Sequence, residues 1–222
     1  NLNGEIVIRD GAVMMNDVAM NMLDGSFVSN GGYDTKDSLN PSFNFDLSIK
    51  NLEITKAYES FASIQEMAPM AKNMTGKVNT DFHIEGKLLS NYDPDMATLS
   101  GGGLLNVYDA AMKDFKLISK LNSVAKFAGM NAKADNNYPI SDILIKAEIR
   151  DGKVFFEPFD INAGGNQMNI GGYYGLDGQL DYLVKSKVAA NAVTGAAVSA
   201  LNSLTGASVS GSGPVTMKFG VT

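Results

Sequence analysis

The sequence contains no cysteine and no tryptophan, and its one histidine is His83. Without cysteine there is no disulfide, no thiolate nucleophile and no Cys-ligated zinc. One histidine leaves little for a metal centre. Asp81, His83 and Glu85 alternate along one side of a strand-like stretch, but a zinc site wants several such ligands at fixed spacing, and a solvated histidine is the simpler reading. No apolar run approaches the ~18 residues of a membrane-spanning helix, and no signal peptide is visible. Positive charge is also in deficit: Lys and Arg number 18 against 24 Asp and Glu, for a net charge of -6. That argues against a nucleic-acid backbone as the main partner. The chain opens at Asn1 and ends within a strand-like pattern. It is read as a piece of something longer, with any anchor or export signal lying outside it.

Phosphate and calcium motifs are missing as well. Glycines cluster at 101–103, 164–165 and 171–172, yet none leads into the Lys-Ser or Lys-Thr of a phosphate loop. In strands, such glycines mark bulges or close backbone approach. DPD at 93–95 and DNN at 135–137 lack the spacing of a calcium loop and read as turns. Aspartates and glutamates are plentiful, but no pair can be assigned to acid–base chemistry. The chain is expected not to be an enzyme and to need no cofactor and no metal.

What is present is a repeated β pattern in a folded chain, 45% hydrophobic and 19% charged. IRDGAVMMN at residues 8–16 returns as IRDGKVFFE at residues 149–157. Continued without gaps, Asn21, Gly31 and Tyr33 meet Asn162, Gly172 and Tyr174. With a four-residue shortening, Gly76, Val78, Phe82 and Ile84 meet Gly213, Val215, Phe219 and Val221. The repeat unit spans about 5–86 and about 143–222, joined by a strand and helix over about 97–130, all within one domain, 1–222.

Asp-Gly between alternating residues predicts two-residue hairpins. Placing the second turn at Asp151-Gly152 sets Ile149 against Val154 and Ala147 against Phe156, with Ile145 on the same face. The first copy does the same with Ile6, Ile8, Val13 and Met15. Phe43, Phe45, Leu47 and Ile49 alternate with polar residues, as do Val78, Phe82 and Ile84, and then Met217 and Phe219. A period of two is that of a half-buried strand in an antiparallel sheet. Three amphipathic helices are expected: Lys56–Ala68 capped by Thr55, Phe115–Ala128 capped by Asp114, and one within Ala192–Leu204. Residues 90–96 and 131–139 read as loops. The predicted fold is α+β, mainly β: a curled antiparallel sheet of ten or more strands. Three helices do not obviously cover so many one-faced strands. Part of the apolar face is therefore expected to be closed by curling, or left for a ligand or for neighbouring sequence outside this chain.

Several segments resemble a known family. NMLDGSFVSNGGY at 21–33, EMAPMAKNMTGKVNTDFHIEGKLL at 66–89, TLSGGGLLNVYDAAMKDFKLI at 98–118 and IRDGKVFFEPF at 149–159 resemble, in this order, the C-terminal region of bacterial AsmA-family proteins of the Bacteroidetes type. The closing SGSGPV resembles the family's final glycine-then-proline strand, with Gly-Ser where Gly-Thr is usual. The resemblance implies a periplasmic protein, held at the inner membrane by an N-terminal anchor absent from this chain, that contributes to outer-membrane biogenesis. It also implies kinship with TamB-like bridge carriers, whose curled sheets shield lipid in an apolar groove, and it brings no catalytic residues. The groove candidates are the alternating apolar residues named above, and the expected ligand is a phospholipid or another acyl-chain lipid. The alternative is a scaffold with a closed core that docks to envelope proteins by edge pairing and holds no lipid.

Overall fold

A computed structural model of the chain describes residues 2–113, 137–140, 142–163, 166–186 and 215–221. Among them, twelve strands form one antiparallel sheet. The first half contains β1 (Leu2–Arg9), β2 (Ala12–Met22), β3 (Gly25–Asp34), β4 (Ser42–Glu53), β5 (Met74–Lys87) and β6 (Ser100–Lys113). The second contains β7 (Asn137–Ile140), β8 (Ile143–Arg150), β9 (Lys153–Ala163), β10 (Asn166–Gly175), β11 (Leu180–Ser186) and β12 (Val215–Val221). Neighbours in sequence are neighbours in space, and β1 and β12 lie at the two ends of the strand order. β7 and β8 share one lane: β7 pairs with Ala110–Lys113 of β6, and β8 with Gly101–Val107. The predicted loop over 131–139 therefore ends early. Tyr138 and Ile140 alternate inward and are buried, so residues 137–140 add a short strand despite Pro139.

Both Asp-Gly hairpins form as expected. Asp10 and Gly11 have φ of 51° and 76°, and Asp151 and Gly152 have 52° and 66°. Positive φ at both positions is the type I′ signature, whose twist matches that of the flanking strands. The pairs Ile8–Val13, Ile6–Met15, Ile149–Val154 and Ala147–Phe156 are those predicted. A third tight turn joins β2 to β3 through Leu23 and Asp24, both at positive φ without glycine.

The two copies agree in register. Val13–Tyr33 and Met15–Gly31 in the first correspond to Val154–Tyr174 and Phe156–Gly172 in the second. Each copy then inserts a bulge at the same place, between Met15 and Val18 and between Phe156 and Phe159. Bulges bend a strand and raise its twist. In the last pair the copies part: Phe45 faces Ile84, but Tyr182 faces Phe219 rather than Val221. A two-residue slip keeps every residue on its face, because the side-chain period is two.

The first expected helix is broken into α1 (Ile54–Ser60) and α2 (Ala62–Met67). Phe61 between them is extended, at φ -121° and ψ 112°. The Gln65 side chain donates to the freed Tyr58 carbonyl at 2.8 Å. Thr55 is not the cap. Glu53 holds that position, and the Thr55 hydroxyl instead donates to the Met74 carbonyl at 3.3 Å. Lys56 ties α1 to Asp24 in the β2–β3 turn and to Glu53. The second and third expected helices lie outside the described residues.

Two buried clusters occupy one face of the sheet. The first joins Ile54 of α1 to Val107, Met112, Ile143, Ile161, Met168 and Val184. The second joins Phe43, Leu88, Leu99, Ile149 and Val154, with Met67 of α2 packed beside it.

Candidate functional site: one apolar sheet face

Residues directly opposite each other on neighbouring strands share a face. Followed strand by strand, one row runs Ile6, Met15, Gly31, Phe45, Ile84, Gly101, Ile149, Val154, Tyr174, Leu180. A second runs Leu47, Phe82, Gly103, Ala147, Phe156, Gly172, Tyr182. Ile8, Val13, Tyr33 and Phe43 begin a third; Ile49 lies with Phe27, Thr80, Leu105 and Ile145 in a fourth; Val78 pairs with Leu52 and Val107 in a fifth. The register thus gathers the predicted groove residues of β1 to β9 onto one side. Met217 and Phe219 occupy the register positions opposite Val184 and Tyr182.

That face is not uniformly open. Phe43, Ile149 and Val154 are buried in the second cluster, and Phe45, Phe82, Ile84 and Phe156 pack partly buried against it. Val78 and Ile145 pack against the first cluster. Toward β1 the cover thins. Val13, Met15, Leu47 and Ile49 are half-buried, Ile6 is 48% exposed and Ile8 76% exposed. The apolar face is therefore a packed core from β4 to β11, and it opens progressively through β3 and β2 to β1, where Ile6 and Ile8 are the most exposed.

Aromatic rings line the boundary between the two regions. Tyr33 and Phe45 meet edge to face with centroids 5.1 Å apart, and Phe43 lies 6.2 Å from Phe45. Phe45 faces Gly31 across the strands, which leaves room for the rings. On the closed side, Phe156 and Tyr182 are 6.2 Å apart. Burial, with the Tyr174 phenol adding to it, pushes the Tyr182 hydroxyl up to about 12. Tyr33 and Tyr182 were not among the predicted lining residues. Their signal was present in the sequence, since Tyr33 matches Tyr174 in the repeat and Tyr182 alternates with Leu180 and Val184.

The opposite face carries most of the charge. His83 Nδ1 lies 2.8 Å from Asp46, its cross-strand partner, and Glu85 is 3.8 Å from Nε2. Lys146 bonds Glu157 at 2.5 Å, and Arg150 lies 4.0 Å over the Phe155 ring. Met14, Leu104, Leu144 and Leu183 are exceptions, exposed on this side. A shallow depression of about 410 Å³ opens near one end of β2 to β5, lined by Met14, Tyr33, Phe43, Asn44 and Glu85 among others. Its mixed lining has neither a convergent acid–base pair nor a walled apolar slot. Among the described residues no cluster of three or more His, Asp or Glu is placed to hold a metal, and no helix is long and apolar enough to cross a membrane. Comparison with known proteins found no matching family model, curated protein or solved structure.

Proposed function

We propose that this chain is a non-enzymatic protein of the cell envelope that shields lipid acyl chains on the open part of its apolar sheet face. The observation that carries the reading is the exposure gradient. Ile6, Ile8, Val13, Met15, Tyr33 and Phe45 form a continuous apolar surface on the same face whose far half is a packed core. Each methylene buried there is worth roughly 0.8 kcal/mol, so an acyl chain binds without polar contacts. The resemblance to the AsmA family supports a periplasmic location, attachment to the inner membrane by an N-terminal anchor, envelope protein partners and a role in outer-membrane biogenesis. The acidic balance suits none of the nucleic-acid functions.

The test is native mass spectrometry of protein purified without detergent. A heavier species that releases phospholipid on activation is expected, and Phe45→Asp should lose it. A clean mass for the unmodified chain would overturn the reading. A scaffold without lipid is the second reading, favoured by the deep burial of Ile149, Met168 and Val184. Specific envelope proteins recovered with a lipid-free chain would support it.

A further inference from the structure

We propose that the outer edge of β1 is a docking site for an extended segment of another polypeptide, entering as an antiparallel strand with glycine at alternate positions opposite Ile8 and Ile6. The internal repeat supplies the argument. β1 and β8 are equivalent strands: each opens a hairpin on the same Ile-Arg-Asp-Gly turn, and each pairs with its partner in the same register. Their outer edges differ. β8 lies against β6, with Gly101 opposite Ile149 and Gly103 opposite Ala147. β1 pairs only with β2 among the described strands. Burial differs as well, since Ile149 also packs in the cluster with Phe43, Leu88 and Leu99. Ile149 is 2% exposed and Ala147 4%, whereas their counterparts Ile8 and Ile6 are 76% and 48% exposed.

Hairpin geometry says which backbone groups are free. Arg9 and Ala12 flank the two-residue turn, so they exchange the first pair of hydrogen bonds. The bonds then alternate, and the N–H and C=O of Ile8 and Ile6 point away from β2 toward the open edge. Those are the positions whose counterparts in β8 face glycines of β6. The edge carries no proline and no lysine to discourage pairing (LNGEIVIR). A strand of the β6 type would satisfy these groups and lay bare backbone beside the Ile8 and Ile6 side chains. The inference concerns the backbone edge of β1, so it does not depend on whether the sheet face holds lipid.

The probe is a fluorescent peptide, LSGGGLLNVYD, with the sequence of residues 99–109, titrated into the intact chain and read by anisotropy. Saturable binding is expected, with slowed backbone hydrogen exchange confined to Leu2–Arg9. Ile8→Pro should weaken it at least ~tenfold while leaving the fold intact, because that N–H is not used in the chain's own ladder. Ile6→Pro provides the same test should Ile8→Pro fail to fold. A peptide with leucine in place of both alternate glycines should also bind more weakly. The proposal is overturned by absence of saturable binding, by protection appearing on β5 or β8 instead, or by indifference to both proline variants. Self-association that Ile8→Pro abolishes would overturn it too, since a second copy would then be the occupant.

Discussion

The side-chain oxygen of Asn79 accepts the backbone N–H of Asn51 at 2.7 Å. Asn51 sits at φ 59° in a bulge of β4, where the ladder skips between Ile49 and Leu52. A bulge leaves one residue unpaired, and Asn79 on the neighbouring strand captures the orphaned donor. The bulge in β2 repeats the device: the Asn30 side chain accepts the N–H of Asp17, itself at φ 48°, at 2.8 Å. Asn79→Ala should therefore lower stability by about 1 kcal/mol, the net worth of one such bond. The urea midpoint measures this. A variant as stable as the parent would mean that water replaces the amide at no cost.

Glycine supports a third bulge from the other side. Asp109 of β6 has φ 49°, and Gly76 of β5 packs against it. A Cβ on Gly76 would lie 2.7 Å from the Ala110 Cα, and the backbone there has φ +116°. Gly76→Ala is expected to cost about 1–3 kcal/mol through crowding and strain together. Gly152→Asn is the contrast. Its site has open space and a φ that asparagine tolerates, so a loss under ~1 kcal/mol is expected. Equal losses in the two variants would remove close approach as the reason for Gly76.

These bulges also explain what was legible in the sequence. Hairpin turns and strand faces follow from local chemistry, so the Ile149–Val154 and Ile8–Val13 pairs could be placed from Asp-Gly and alternation alone. The bulge at Asp17 could not, because Asp-Val-Ala-Met reads as continuing strand and the extra residue is identified only by its partners Gly4 and Asn30. Phe61 failed in the other direction. Ala57, Phe61, Ile64 and Ala68 make an acceptable helical stripe, yet Phe61 is extended and splits the helix in two. The depth of burial was the least legible feature. Ile8 and Ile149 occupy the same place in matching sequences and differ because only Ile149 has β6 on its far side and Phe43, Leu88 and Leu99 packed in its cluster.

That difference makes a direct prediction. Ile149→Ala should destabilise the protein by about 2–5 kcal/mol, the range for emptying a packed core site. Ile8→Ala should change stability by less than ~0.5 kcal/mol, as for an exposed substitution. Chemical denaturation of both variants checks the pair. Similar losses would show that the β1 face is covered in solution.

Tyr182 gives the sheet a pH dependence with a definite sign. Its half-buried ring lies beside Phe156, and desolvation pushes its pKa up to about 12 from an ordinary value near 10. Between those values the unfolded chain gives up the proton while the folded chain keeps it. The unfolded state gains, so the Tyr182 contribution is intact below about pH 10 and is lost as pH rises toward about 12. A shift of two units corresponds to an upper limit of roughly 2–3 kcal/mol. Tyr182→Phe has no proton to lose, and its stability should fall less steeply than the parent's over this window. Urea titrations at about pH 8, 10 and 11.5 measure both slopes. Parallel curves would place the Tyr182 hydroxyl in water, and with it the edge of the closed core at β11.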